Sequence, residues 1–289
     1  EKAFFWGQES VRRCDVRSVS FHSTLQGVPA SAWDVSQKQD KSVRAWMDGT
    51  ELKVAANGRI SPNPVGSFLF EYFTNLTELH FNGCFDTAQV TSMAWFFDSC
   101  FSLTALDVSG FDTAKVTDFH GMFSDCASLT SLDLSGFKTG SANTMRMMFW
   151  NCMQLTDLNL SGFVTTGVTD VSKMFQGCSS LPTLNATSFS LPDDVNCEDI
   201  FTDTSALSRL TYKDKKLLAA YQQVHPNSKP ADSDKPQTGS AAPTVNFMRQ
   251  AERAKDLKEK AFFWGQESVR RCDVRSVSFH STLQGVPAS

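Results

Sequence analysis

A period of 26 residues runs through the middle of the chain and constrains its fold more than any other feature of the sequence. Leu103, Leu129, Leu155, Leu181 and Leu207 are spaced by it. So are Phe97, Phe123, Phe149, Phe175 and Phe201, and so are Cys100, Cys126, Cys152 and Cys178. A fixed period of this length marks units that cannot bury an apolar face alone and must lie against their neighbours. The expectation is a repeat solenoid. Its interior is consumed by stacking, so any function belongs to its outer surface.

One unit shows the pattern. Leu129, Leu132 and Leu134 read Leu-x-x-Leu-x-Leu, and the last pair alternates as a strand with one buried face. Ser135-Gly136-Phe137 follows as a turn and an inward return. Met145, Met148, Phe149 and Cys152 then fall at i, i+3, i+4 and i+7, one stripe of a short helix. The same stripe recurs as Met93, Phe96, Phe97 and Cys100, as Phe119, Met122, Phe123 and Cys126, and as Val171, Met174, Phe175 and Cys178. The predicted fold class is an α/β repeat solenoid, leucine-rich-repeat-like, of strand–turn–short helix coils, with a small β-rich N-terminal capping module. A buried Leu or Phe contributes roughly 1.5–3 kcal/mol, against an ordering cost of similar total size, so several coils are needed together.

The pattern degrades at both ends, as capping coils should. Leu69, Phe70, Phe73 and Leu76 read as a partial first helix, and Cys84 is the simplest extra residue between Leu76 and Leu103. At the far end Asp193-Asp194 interrupt the coil, Cys197 takes the slot of Met145, and Thr204 takes the slot of Cys178. The expected organisation is the end of a linker helix at 1–11, the β-rich cap module at 12–66, the solenoid at 67–211 and a C-terminal capping helix at 212–225. A disordered linker then a helix follows at 226–258. Residues 259–289 repeat residues 1–31 without a change, at an offset of 258, and read as the start of a second identical unit, either encoded in tandem or left as overlapping ends where one repeat was closed onto itself. The chain opens on Glu1 rather than Met, so a leader and an anchor are expected outside it.

Met122-Phe123-Ser124-Asp125-Cys126-Ala127-Ser128-Leu129-Thr130-Ser131-Leu132-Asp133-Leu134-Ser135-Gly136-Phe137 resembles the 26-residue repeat of BspA-like leucine-rich-repeat surface proteins of bacteria. So does Phe111-Asp112-Thr113-Ala114-Lys115-Val116-Thr117. The segment from Ala32-Trp33-Asp34-Val35-Ser36 to Asp40, Ser42 and Val43 resembles the region preceding these repeats in many members. The resemblance covers about residues 16–211. It implies a right-handed leucine-rich-repeat solenoid, display outside the cell, binding to other proteins or surfaces, and no catalytic residues.

The residues themselves offer little chemistry. With 27 basic and 31 acidic residues the net charge is −4, which draws neither nucleic acid nor anionic membrane. No apolar run approaches the ~20 residues of a membrane span. The close Cys-x-x-Cys pairs of a zinc site do not occur, and four of the cysteines share one phase of the repeat, which reads as a column of buried free thiols. His22 with its copy His280, His80, His120 and His225 lack a nucleophile setting. Gly110, Gly136 and Gly162 are turn glycines rather than a phosphate cradle. No catalytic residue, cofactor or metal is therefore expected. Asp107 and Asp133 share a column with Asn159 and Asn185, read as a solvated face of the strands.

Two surfaces are candidates for a protein or glycan partner. The strand face is polar and small-chained: Thr104, Asp107, Ser131, Asp133, Asp157, Asn159 and Asn185. The helix side places Trp95, Phe101, Met147, Trp150 and Met153 away from the buried stripe, beside Asp98 and Ser124. These side chains form either an exposed patch or a layer folded over neighbouring coils. The strand face is preferred, because stacked strands make an extended rigid surface. The functional expectation is a non-enzymatic bacterial module, secreted or at the cell surface, acting in adhesion. The alternatives are a structural spacer in a tandem-repeat surface protein and an accessory domain of a larger enzyme.

Overall fold

The computed structural model describes residues 11–227, 231–232 and 283–286. All but the last residue of the linker helix expected at 1–11, most of the linker and helix expected at 226–258, and all but four residues of the copied unit at 259–289 lie outside the described residues.

The N-terminal module alternates Val, Phe, Leu and Ala with polar residues, and these runs form strands. They are β1 (Ser18–His22), β2 (Trp33–Asp34), β3 (Val43–Asp48), β4 (Glu51–Ala56) and β5 (Arg59–Pro62). β3 and β4 form an antiparallel hairpin, its turn carrying Gly49 at φ +61°. β4 pairs in parallel with β1, and β1 pairs in parallel with β6 (Glu78–His80), so one mixed sheet runs in the order β2-β3-β4-β1-β6. Val19, Phe21, Val43, Ala45, Leu52 and Val54 are buried on its inner face.

Beyond the module, short strands recur where Leu-x-x-Leu-x-Leu recurs: β7 (Ser131–Asp133), β8 (Asp157–Asn159), β9 (Thr183–Ala186) and β10 (Arg209–Tyr212). β7 pairs in parallel with β8 in the register Leu132↔Leu158, and β9 with β10 in the register Leu184↔Leu210. Single parallel bridges join Ser92, Asp118, Thr144 and Asp170 at one period each. Phe97, Phe123, Phe149, Phe175 and Phe201 stack face to face, with centroids 5.6–5.7 Å apart. Inside the return turn the buried Thr113 hydroxyl donates to the Lys138 carbonyl and accepts from the Lys138 N–H, and Thr139 does the same with Val164.

The predicted fold class is corrected by this structure. The regular structure of the described residues is mostly β, in short strands of mixed, parallel and antiparallel sheets joined by turns. Their one α-helix, α1 (Lys215–Val224), lies after the repeats and not within them. An α/β leucine-rich-repeat solenoid requires a helix in each coil, and the segments read as helices are chains of turns.

The hydrogen bonds give the reason. The N–H groups of Met93, Trp95, Phe97 and Ser99 donate to the carbonyls of Asp118, His120, Met122 and Ser124 in the next repeat, at 2.8–2.9 Å. An α-helix would need those donors for its own i−4 carbonyls. Intervening residues close three-residue steps instead, as Phe96 N–H does on the Met93 carbonyl. Trp95 and Ser99 take left-handed φ values of +56° and +59°, as do Met147 and Asn151 at +55° and +57°. A turn of this kind also brings every third or fourth side chain inward, so it produces the same apolar stripe as a helix.

The last repeat is closed by α1. The Asp214 carboxylate accepts from the N–H groups of Lys216 and Leu217 as the N-cap, and also from Leu191 N–H. Tyr221 meets Phe201 edge-on at 5.9 Å and donates its hydroxyl to the Leu207 carbonyl at 3.1 Å. β11 (Ala231–Asp232) then lies parallel to β10. Of the copied unit, β12 (Leu283–Val286) runs antiparallel to β5.

Candidate binding surface

β7, β8 and β9 each bury a Leu and expose the residue on either side, so the outward positions form columns. Ser131 lies beside Asp157, and Asp133 beside Asn159, in paired register. All four are exposed, as are Thr104, Asp107, Thr183 and Asn185. Thr104 and Asp107 flank a stretch that is not itself a strand. Its register is held by Thr130, whose N–H and hydroxyl both donate to the Thr104 carbonyl at 3.2 and 3.3 Å.

The Asp and Asn of this face have a backbone duty. Asp107 Oδ1 accepts from Ser109 N–H and Asp133 Oδ1 from Ser135 N–H, each at 2.9 Å. Asn159 and Asn185 repeat the bond with Ser161 and Thr187 at 3.1 Å. These are Asx turns, which end each strand and aim the side chain. The bonds from Ser109 and Ser135 hold the Asp107 and Asp133 carboxyls below the ordinary carboxylate value. The strand face is thus a rigid polar surface, acidic at Asp107, Asp133 and Asp157 and neutral at Asn159 and Asn185.

The other candidate residues do not join it. Trp95 and Trp150 lie in the turn leg and are half-buried. Trp95 lies over the next repeat, 4.5 Å from the His120 ring, and a Cβ added at Gly121 would meet it at 2.4 Å. Trp150 donates its indole N–H to Gln176 Oε1 at 3.2 Å. Asp98 and Ser124, expected outside the stripe, are 5% and 0% exposed. The turn side therefore folds over its neighbours. Among the described residues the exposed large apolar side chains are Val65, Val164 and Val224, which do not form this patch.

Two groups escaped sequence reasoning. Successive repeats bury Glu71 and Asp98 and partly bury Asp125. Burial, then the Asp125 charge, pushes the Asp98 carboxyl up to about 8. Burial raises Asp125 to about 6, against a hydrogen bond from Asn151 Nδ2 at 3.1 Å. The available signal was the run Ser99, Asp125, Asn151, Gly177 at one phase, which mostly consists of residues that tolerate left-handed backbone. The second is the Trp46–His22 pair on the N-terminal sheet, signalled by Trp46 falling between the inward positions Ala45 and Met47. The cysteine column is structural: Cys126, Cys152 and Cys178 donate Sγ–H to the carbonyls of Phe97, Phe123 and Phe149, and burial pushes Cys178 up to about 12. Among the described residues no group of three His, Cys, Asp or Glu is placed to hold a metal ion, and no helix is long and apolar enough to cross a membrane.

Residues 67–209 match the family model described as Mycoplasma protein of unknown function, DUF285, and that stretch of the chain is similar to this family. Comparison with the curated proteins and with the solved structures gave no match.

Proposed function

We propose that this chain is a non-enzymatic binding module, secreted or displayed at a bacterial surface, that holds a protein or glycan partner on the outward face of its strands. The observation that supports this reading is the paired register of Ser131 with Asp157 and Asp133 with Asn159. A partner gains most from side chains already held at fixed spacing, because little conformational entropy is lost on contact. The resemblance to BspA-like surface repeats supports the location and the adhesive role. The mild acidity of the chain disfavours nucleic acid as the partner.

A spacer within a tandem array is the second reading, favoured by the unchanged copy of residues 1–31 at 259–289. Binding of the chain to immobilised fibronectin, fibrinogen and mucin separates the two. The expected result is retention on at least one of them, lost in the double variant Asp133→Ala, Asn159→Ala and kept in Trp150→Ala, with unchanged unfolding curves. Loss in Trp150→Ala alone would move the site to the turn leg. Retention on none of the three would favour the spacer.

A further inference from the structure

The outward face of the N-terminal sheet carries an aromatic group that the apolar core does not use. Along β3, Val43 and Ala45 are buried, while Arg44 and Trp46 alternate to the other side. Trp46 stands outside the hydrophobic core and is partly exposed. Strand pairing sets Trp46 opposite Lys53 on β4, Lys53 opposite Ser20 on β1, and Ser20 opposite His80 on β6. The His22 ring lies beside the indole, with centroids 6.1 Å apart and planes 27° from parallel. Ser20 donates its hydroxyl to Glu51 Oε1 at 2.5 Å, which leaves its oxygen to accept from His22 Nε2–H at 3.0 Å.

The charged groups of this face are paired or hydrogen-bonded, with Asp48, Glu51 and Glu78 against Lys53 and Arg44. Lys53 Nζ lies 2.7 Å from Asp48 and 3.4 Å from Glu51, His80 lies 3.3 Å from Glu78, and the Arg44 guanidinium donates to the Ala32 carbonyl. A charged ligand would have to break these pairs, and an anionic one would meet more carboxylates than cations. β4 and β1 are each paired on both sides, so the open strand edges of this sheet lie at its rims and not across this face. What remains is a flat aromatic surface bordered by both donors and acceptors, on a rigid sheet.

We propose that this face binds a neutral saccharide, one sugar ring lying against Trp46 and its hydroxyls meeting His22, Glu51 and Lys53, with the buried Ser20 hydroxyl holding His22 and Glu51 in place. A pyranose presents C–H groups on one face and hydroxyls around its edge. The first suits the apolar face of an indole. The second, each a donor and an acceptor, suits a carboxylate beside an ammonium group. The site lies on the N-terminal module and stands or falls separately from the strand face of the repeats.

The test is titration of the full chain with maltoheptaose, laminarihexaose, chitohexaose and mannohexaose, followed by calorimetry, with a heparin hexasaccharide as the charged comparison. The expected result is binding of at least one neutral oligosaccharide, weakened about tenfold or more in Trp46→Ala and in Glu51→Gln, with unfolding midpoints near that of the parent chain. The double variant Asp133→Ala, Asn159→Ala should bind it as the parent does. Binding of none of the four, equal binding by Trp46→Ala, or preference for heparin would overturn the proposal. Loss in the Asp133, Asn159 double variant would overturn it too, while leaving the reading of the repeats intact.

Discussion

Asp98 carries its proton at neutral pH although it is an aspartate. Its carboxyl is nearly fully buried beside Ser124 and receives the Ser99 hydroxyl at 2.9 Å, with Asp125 and Glu71 as like-charged neighbours. In the unfolded chain the same group titrates near 3.9. The folded state therefore holds a proton that the unfolded state has released, and this contribution to stability is lost as pH rises from about 4 through the folded value of about 8. Asp125 adds the same sign over a narrower window, up to about 6. Burial lowers His120 and His225, which act in the opposite sense below about 6.5, so the fall in melting temperature should be clearest from there to about 8. Asp98→Asn should flatten the upper part of the curve, and parallel curves for parent and variant would show that Asp98 does not titrate there. Sequence reasoning placed Asp98 on the outside because it assumed helical spacing. The turn geometry puts it under its neighbours.

At the scale of the element, the turn leg decides how side chains are shared between repeats. Gly177 sits at φ +78°, a conformation that costs an L side chain of order 1 kcal/mol or more. A Cβ there would meet Asn151 Oδ1 at 2.4 Å and the Asn151 backbone at 3.2–3.3 Å. Gly177→Ala should destabilise the chain by roughly 1–3 kcal/mol in urea unfolding. Adding Asn151→Gly should return part of that loss by removing the side chain in the way. A neutral Gly177→Ala would mean that the backbone there is not left-handed. The apolar positions of this leg were legible, since Met145, Met148, Phe149 and Cys152 are all fully buried. Its helical state was not, because apolar spacing reports which side chains turn inward and says nothing of where the N–H groups go.

Over the whole molecule, one continuous apolar core runs from Val16 in the N-terminal module to Tyr221 in α1. Phe149 lies mid-stack, within 5.7 Å of both Phe123 and Phe175. Phe149→Ala should cost about 3–5 kcal/mol and lower the midpoint of one transition rather than split it. A loss under about 1 kcal/mol would mean the site collapses to fill the cavity. The sequence by itself determined the period, the apolar inward positions at each phase and the polar outward columns of the strands, because the same apolar set at fixed spacing is buried by laying each repeat on the next. The tertiary structure alone decided the backbone state. The N–H groups of Met93 to Ser99 find acceptors 25 residues away, beyond any local window, so a stripe that reads as helix becomes a row of turns. Residues 25–28 form a turn, whereas the identical Leu283–Val286 forms a strand against β5. The same four residues take whichever conformation their partner strand stabilises, and sequence without contacts does not contain that partner.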